Sequence, residues 1–139
     1  MRVLLVESHA DTRELYAECL RRAGFEVLPA GRTGDAAALL RGVDAVVTGI
    51  NVAGEIDGLD LVRIIRCTPA TATLPVIVLS ASAYPSDVAR ATAAGCDRFL
   101  AKPCLPGDLA NHIREAVKAS RPGILKAMDR RSTQARKSA

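Results

Sequence analysis

"RVLLV", residues 2–6, is a short run whose apolar residues follow one another without a polar break. Such a run predicts a strand covered on both faces, as in the parallel sheets of α/β proteins. The segment after it, "DTRELYAECLRRAG" (11–24), places Leu15, Cys19, Leu20 and Ala23 at helical spacing. It ends on Gly24, a residue suited to the position just past a helix. The pattern then recurs. "FEVLPA" (25–30) predicts a second strand and "GDAAALLRG" (34–42) a short helix closed by Gly42. "AVVT" (45–48) predicts a third strand, and "GLDLVRIIRC" (58–67) a helix after the loop "GINVAGEID". Pro75 precedes a fourth strand, "VIVLS" (76–80), and "PSDVARATAAG" (85–95) predicts a helix ending at Gly95. "RFLA" (98–101) is a short fifth strand, and "PGDLANHIREAVKAS" (106–120) is the last helix, with Pro106 near its start. Five strands alternating with five helices imply right-handed crossovers and one parallel sheet covered on both sides.

Composition agrees with a globular domain of that kind. Of 139 residues, 49% are apolar and 24% charged, as in ordinary soluble proteins. With two Phe, two Tyr and no Trp, the core has to be Leu, Val, Ile and Ala. No apolar stretch approaches the roughly 18 residues of a membrane helix, and "MRVLLVES" is too short for a signal peptide. The expectation is a cytoplasmic protein with no membrane association. Cys19, Cys67, Cys96 and Cys104 are widely spaced, so neither a zinc site nor a disulfide framework is indicated, and buried free thiols are expected. The net charge of +4 is unevenly placed. From Arg121 onward six basic residues face only Asp129, a balance of +5 that leaves −1 for residues 1–120. Residues 121–139 are therefore expected to form a basic, disordered tail on a domain spanning 1–120.

In a parallel sheet of this type, function sits in the crevice beyond the carboxyl ends of the strands. The residues due there are Glu7, Ser8 and His9 after the first strand, Thr48 and Gly49 after the third, Ser80 and Ala81 after the fourth, and Lys102 and Pro103 after the fifth. No Gly-rich phosphate loop such as G-x-G-x-x-G occurs, which argues against a nucleotide-dependent enzyme. An enzyme of any kind is not expected.

These ends, together with "VLLVES", "DGLDLVRIIR", "LPVIVLSASA" and above all "AAGCDRFLAKP", resemble the receiver domain of two-component response regulators over residues 1–120. The resemblance implies a flavodoxin-like (βα)5 three-layer sandwich with strand order 2-1-3-4-5. It implies an acidic pair where this chain has Glu7 and Ser8, and a phosphoacceptor aspartate where it has Gly49. It implies a phosphoryl-contacting hydroxyl at Ser80, a conserved lysine at Lys102, a cis peptide before Pro103, and an aromatic switch residue at Phe99. It also implies signalling through the helix 4–strand 5–helix 5 face, which here includes Tyr84, Arg90, Arg98, Phe99, Asn111 and Arg114.

Set against that pattern, the pocket is degenerate. Gly49 offers no nucleophile, and a one-residue shift of the loop would put Thr48 or Ile50 there, neither a carboxylate. Mg²⁺ is a hard cation that needs oxygen ligands and dehydrates reluctantly. With Ser8 and Gly49 at two of the ligand positions, no Mg²⁺ site and no other cofactor are expected. Lys102 is then expected to pair with Glu7, the carboxylate being the more exposed partner.

Each of these residues also has a plainer reading. Ser8 suits the N-cap of the first helix, and His9 and His112 suit polar surface positions. Asp57, the nearest carboxylate, suits a helix cap or a displaced phosphoacceptor. The reading that follows is a stand-alone, atypical receiver that works by protein–protein interaction. Its partner would be a histidine kinase or a downstream regulator, or a second copy through the helix 4–strand 5–helix 5 face. The alternatives are phosphorylation at Asp57, or a nucleic-acid role carried by the basic tail.

Overall fold

The computed structural model describes residues 1–120. Strands β1 (Arg2–Val6), β2 (Glu26–Ala30), β3 (Ala45–Thr48), β4 (Val76–Ser80) and β5 (Arg98–Ala101) alternate with helices α1 (Ala10–Arg22), α2 (Thr33–Ala38), α3 (Gly58–Cys67) and α4 (Pro85–Ala94). A further helix, α5, occupies 106–120. The strands form one parallel sheet of order β2-β1-β3-β4-β5, the order expected from sequence. Every residue of β3 and β4 is buried, which is why those segments read as unbroken apolar runs.

Two apolar layers flank the sheet. One joins Val3, Leu5, Val47, Ile77 and Leu79 to Tyr16, Ala17 and Leu20 of α1 and Leu109 and Ile113 of α5. The other joins Leu4, Val6, Val46 and Val78 to Leu59, Leu61, Val62 and Ile65 of α3 and to Ala91 and Ala94 of α4. Alternate residues of each strand thus feed opposite layers.

Several local expectations need correction. Helix α2 ends at Ala38 rather than running to Arg41, and Leu39 and Leu40 leave it to pack against the second layer. On α1 the buried stripe is Tyr16, Ala17 and Leu20, while Leu15 is 55% exposed. The inward turn of Tyr16 follows from its hydroxyl, which donates to the Cys104 carbonyl oxygen at 2.8 Å. None of the four cysteines is fully buried, and Cys67 is exposed. The expectations for the basic tail fall on residues 121–139, outside the described residues. Among the described residues no helix is long and apolar enough to cross a membrane.

Candidate functional site

At the carboxyl edge of the sheet lies a cleft of about 190 Å³ lined by Glu7, Gly49, Ile50, Asn51, Leu79, Ser80, Ala81, Ser82 and Lys102. Of the pocket residues singled out from sequence, Glu7, Gly49, Ser80 and Lys102 meet here, drawn from the ends of β1, β3, β4 and β5. Ser8 does not line the cleft. The Lys102–Pro103 peptide is cis, as expected.

The cleft's cation is paired from within. Lys102 Nζ donates to Glu7 Oε2 at 3.0 Å across a separation of 95 residues. The side chains are 22% and 14% exposed respectively. The pair is the one expected from sequence, but the order of exposure is reversed: the carboxylate is the more enclosed partner. Backbone bonds fix both ends. Glu7 N–H donates to the Ala30 carbonyl and Lys102 N–H to the Ser80 carbonyl, at 2.9 and 2.8 Å. Arg13 donates to the Glu7 carbonyl oxygen at 2.8 Å. Ser80 is 5% exposed, and its Oγ accepts from the Ser82 N–H at 3.1 Å.

Gly49 is not held to glycine by its backbone, since it is absent from the glycines of positive φ. A Cβ built there would lie 3.5 Å from Val52 Cγ2, 3.6 Å from Glu7 Oε2 and 3.7 Å from the Leu79 carbonyl oxygen, ordinary contact distances. A side chain at this position would therefore start beside Val52 and the Glu7 carboxylate. The neighbouring Thr48 is fully buried and its hydroxyl donates to the Gly49 carbonyl oxygen at 3.0 Å. Gly58 is a different case. A Cβ there would overlap the Gly49 carbonyl oxygen, and its N–H donates to the Ile50 carbonyl at 2.8 Å. The start of α3 thus rests directly on the end of β3, and only a glycine permits that approach.

Two polar residues hold the β3–α3 loop beside the cleft. Ser8 Oγ accepts from the Ala53 N–H at 2.6 Å. Thr33, fully buried, donates from its N–H to the Ala53 carbonyl at 2.9 Å and from its hydroxyl to the Ile56 carbonyl at 2.9 Å. Ser8 is therefore not the N-cap of α1. His9 takes that place, its Nδ1 accepting from the Thr12 N–H at 3.3 Å. Asp57 caps α3 in a reciprocal box with Asp60: Asp57 Oδ1 accepts from Asp60 N–H at 2.8 Å, and Asp60 Oδ2 accepts from Asp57 N–H at 3.2 Å. Among the described residues no three His, Cys, Asp or Glu side chains gather in a way that could hold a metal ion.

On the flanking face, Tyr84 is 72% exposed at the start of α4, while Phe99 is half-buried and packs against the second apolar layer. The cleft residue Ser82 and the loop anchor Thr33 escape a reading of the sequence. The only local signal for either of them is the position of Ser82 two residues past the end of β4.

A model of the response regulator receiver domain matches residues 3–114. The transcriptional regulatory protein GltR of Pseudomonas aeruginosa is 32% identical over 117 residues, covering 84% of this chain and 48% of that protein. The phosphate regulon transcriptional regulatory protein PhoB of the same organism is 28% identical, covering 87% of this chain and 53% of that protein. The chain spans about half the length of these two relatives. Among solved structures, a putative response regulator from Chloroflexus aurantiacus superposes with a TM-score of 0.79 at 29% identity, covering 84% of this chain and 97% of that one. The signal receiver domain of a histidine kinase from Syntrophus aciditrophicus gives 0.77 at 28% identity, covering 85% and 90%.

Proposed function

The chain belongs to the response regulator receiver domain family of two-component signalling, and we propose that within it this protein is a receiver that does not take a phosphoryl group by the family's aspartyl route. The observation that carries the reading is the end of β3. Gly49 supplies no carboxylate there, and the cation across the cleft, Lys102, is neutralised by Glu7 at 3.0 Å. Phosphoryl transfer to this fold needs a carboxylate nucleophile and the oxygen ligands of a Mg²⁺ ion. Here one carboxylate is held by Lys102, the Ser8 hydroxyl oxygen accepts from Ala53 N–H, and Gly49 has nothing to offer. That donor set does not fit the ion, and no step is routed through it.

Output in this reading is protein–protein binding, with a histidine kinase or a downstream regulator as partner, through the α4–β5–α5 face on which Tyr84 stands exposed. Asp57 is not the acceptor, because its carboxylate is committed to capping α3. The test is intact-mass measurement of the full chain after incubation with acetyl phosphate and Mg²⁺. An unchanged mass is expected. A phosphoryl adduct would overturn the reading, and fragmentation placing it on Asp57 would establish a displaced acceptor instead.

A further inference from the structure

On the far side of β5 from β4, a second cleft of about 430 Å³ opens between that outer strand and α5. Its floor is Leu100, Ala101 and Pro103, and its α5 rim is Asp108, Asn111, His112 and Glu115. The strand and the helix are joined beside it by one guanidinium. Arg98 Nη1 lies 2.9 Å from His112 Nδ1 and 2.7 Å from Glu115 Oε2. His112 is half-buried.

The chemistry of this contact fixes a protonation state. An arginine in a protein is a donor at every accessible pH and never an acceptor. As a hydrogen bond, the contact requires His112 Nδ1 to accept, from a neutral ring with its proton on Nε2. Adding a second proton would place it on the nitrogen that faces Arg98, which removes the hydrogen bond and sets two cations against each other. The titratable groups around the ring are few. Arg98 faces it from β5, Asp108 and Glu115 from α5 itself, and the Cys104 thiol from the β5–α5 connection. Arg114, also on α5, is directed elsewhere, donating to the carbonyl of Ala23 at the end of α1. Asp108 stands four residues before His112, one helical turn away on the same rim, the spacing and order at which an acid and a following cation attract.

We propose that His112 is a proton-operated latch between β5 and α5. Neutral, it accepts from Arg98 and ties the strand to the helix. Protonated, it releases Arg98 and turns to Asp108, leaving Glu115 as the guanidinium's remaining anchor among the described residues. Arg98 adjoins Phe99, so the change is delivered to the interaction face. The latch needs no phosphoryl group and does not depend on how the Gly49 cleft is read.

The test is NMR on the full chain between about pH 5 and pH 8, the range in which an imidazole changes charge. Long-range proton–nitrogen correlation should show the Nε2–H tautomer of His112 at the upper end. The backbone amides of Arg98, Phe99 and Leu100 should then shift with the same midpoint as the ring. Arg98→Ala should abolish that amide response while the ring still titrates, and Asp108→Asn should move the shared midpoint to lower pH. A ring protonated on Nδ1 at the upper end, or strand amides that do not follow the ring, would overturn the proposal.

Discussion

Removing the charge of Glu7 tests whether the cleft holds itself closed electrostatically. In Glu7→Gln the shape is kept and an amide oxygen can still accept from Lys102, but the ion pair is lost. At 3.0 Å and an effective dielectric constant near 20, the direct attraction is about 5 kcal/mol. Withdrawal of both groups from water offsets much of it, the side chains being only 14% and 22% exposed. The net loss on breaking such a charged hydrogen bond is about 1–3 kcal/mol. For a domain of this size that lowers the melting temperature by roughly 5–10 °C. Lys102→Met should cost at least as much, because it strands the more enclosed member of the pair, whereas the sequence reading with an exposed carboxylate implies less. Urea denaturation of wild type, both single variants and the double variant forms a cycle. The double variant should be more stable than the summed single effects by about 1–3 kcal/mol. Single variants that unfold like wild type, or effects that simply add, would refute the coupling.

Gly49→Ala should leave stability within about 1 kcal/mol of wild type, since its backbone suits any residue and its surroundings have room. Gly58→Ala should lose about 2–3 kcal/mol because its Cβ runs into the Gly49 carbonyl; denaturant titration of the two variants separates a free glycine from a required one. Burial pushes the Tyr16 hydroxyl and the Cys96 and Cys104 thiols up from their ordinary values of 10.0 and 9.0. The folded chain keeps these protons where the unfolded chain releases them, so the stability they contribute is full below about pH 9 and falls as pH rises further. Unfolding free energy measured at about pH 8 and about pH 10.5 should show that fall, and Tyr16→Phe should make it shallower.

Elements governed by local pattern were legible in the sequence. The bounds of β1, β3, β4, β5 and α3 follow from short apolar runs and from Asp57 and Gly58 at a helix start. What was not legible depends on partners far away in the chain. Leu15 is the more apolar side chain, yet Tyr16 turns inward because its hydroxyl meets Cys104, 88 residues on. Ser8 has the composition of a cap, yet its hydroxyl is used by Ala53, 45 residues on. The Glu7–Lys102 pair could be anticipated because strand–helix alternation places both at strand ends of one crevice. Which of the two lies deeper is set by packing, and spacing does not report it.

The proposal that the end of β3 does not receive a phosphoryl group is tested directly by beryllofluoride, a phosphoryl mimic. The measurement is the set of amide shifts of Ser80 and Phe99 with beryllofluoride and Mg²⁺, in wild type and in the Ser8→Asp/Gly49→Asp double variant. Wild-type shifts should not move. The double variant should respond, because Ser80 and Lys102 line the same cleft and the position at Gly49 has space for a side chain beside Glu7. Movement of the wild-type amides at Ser80 and Phe99 would show a working phosphoryl site and contradict the account.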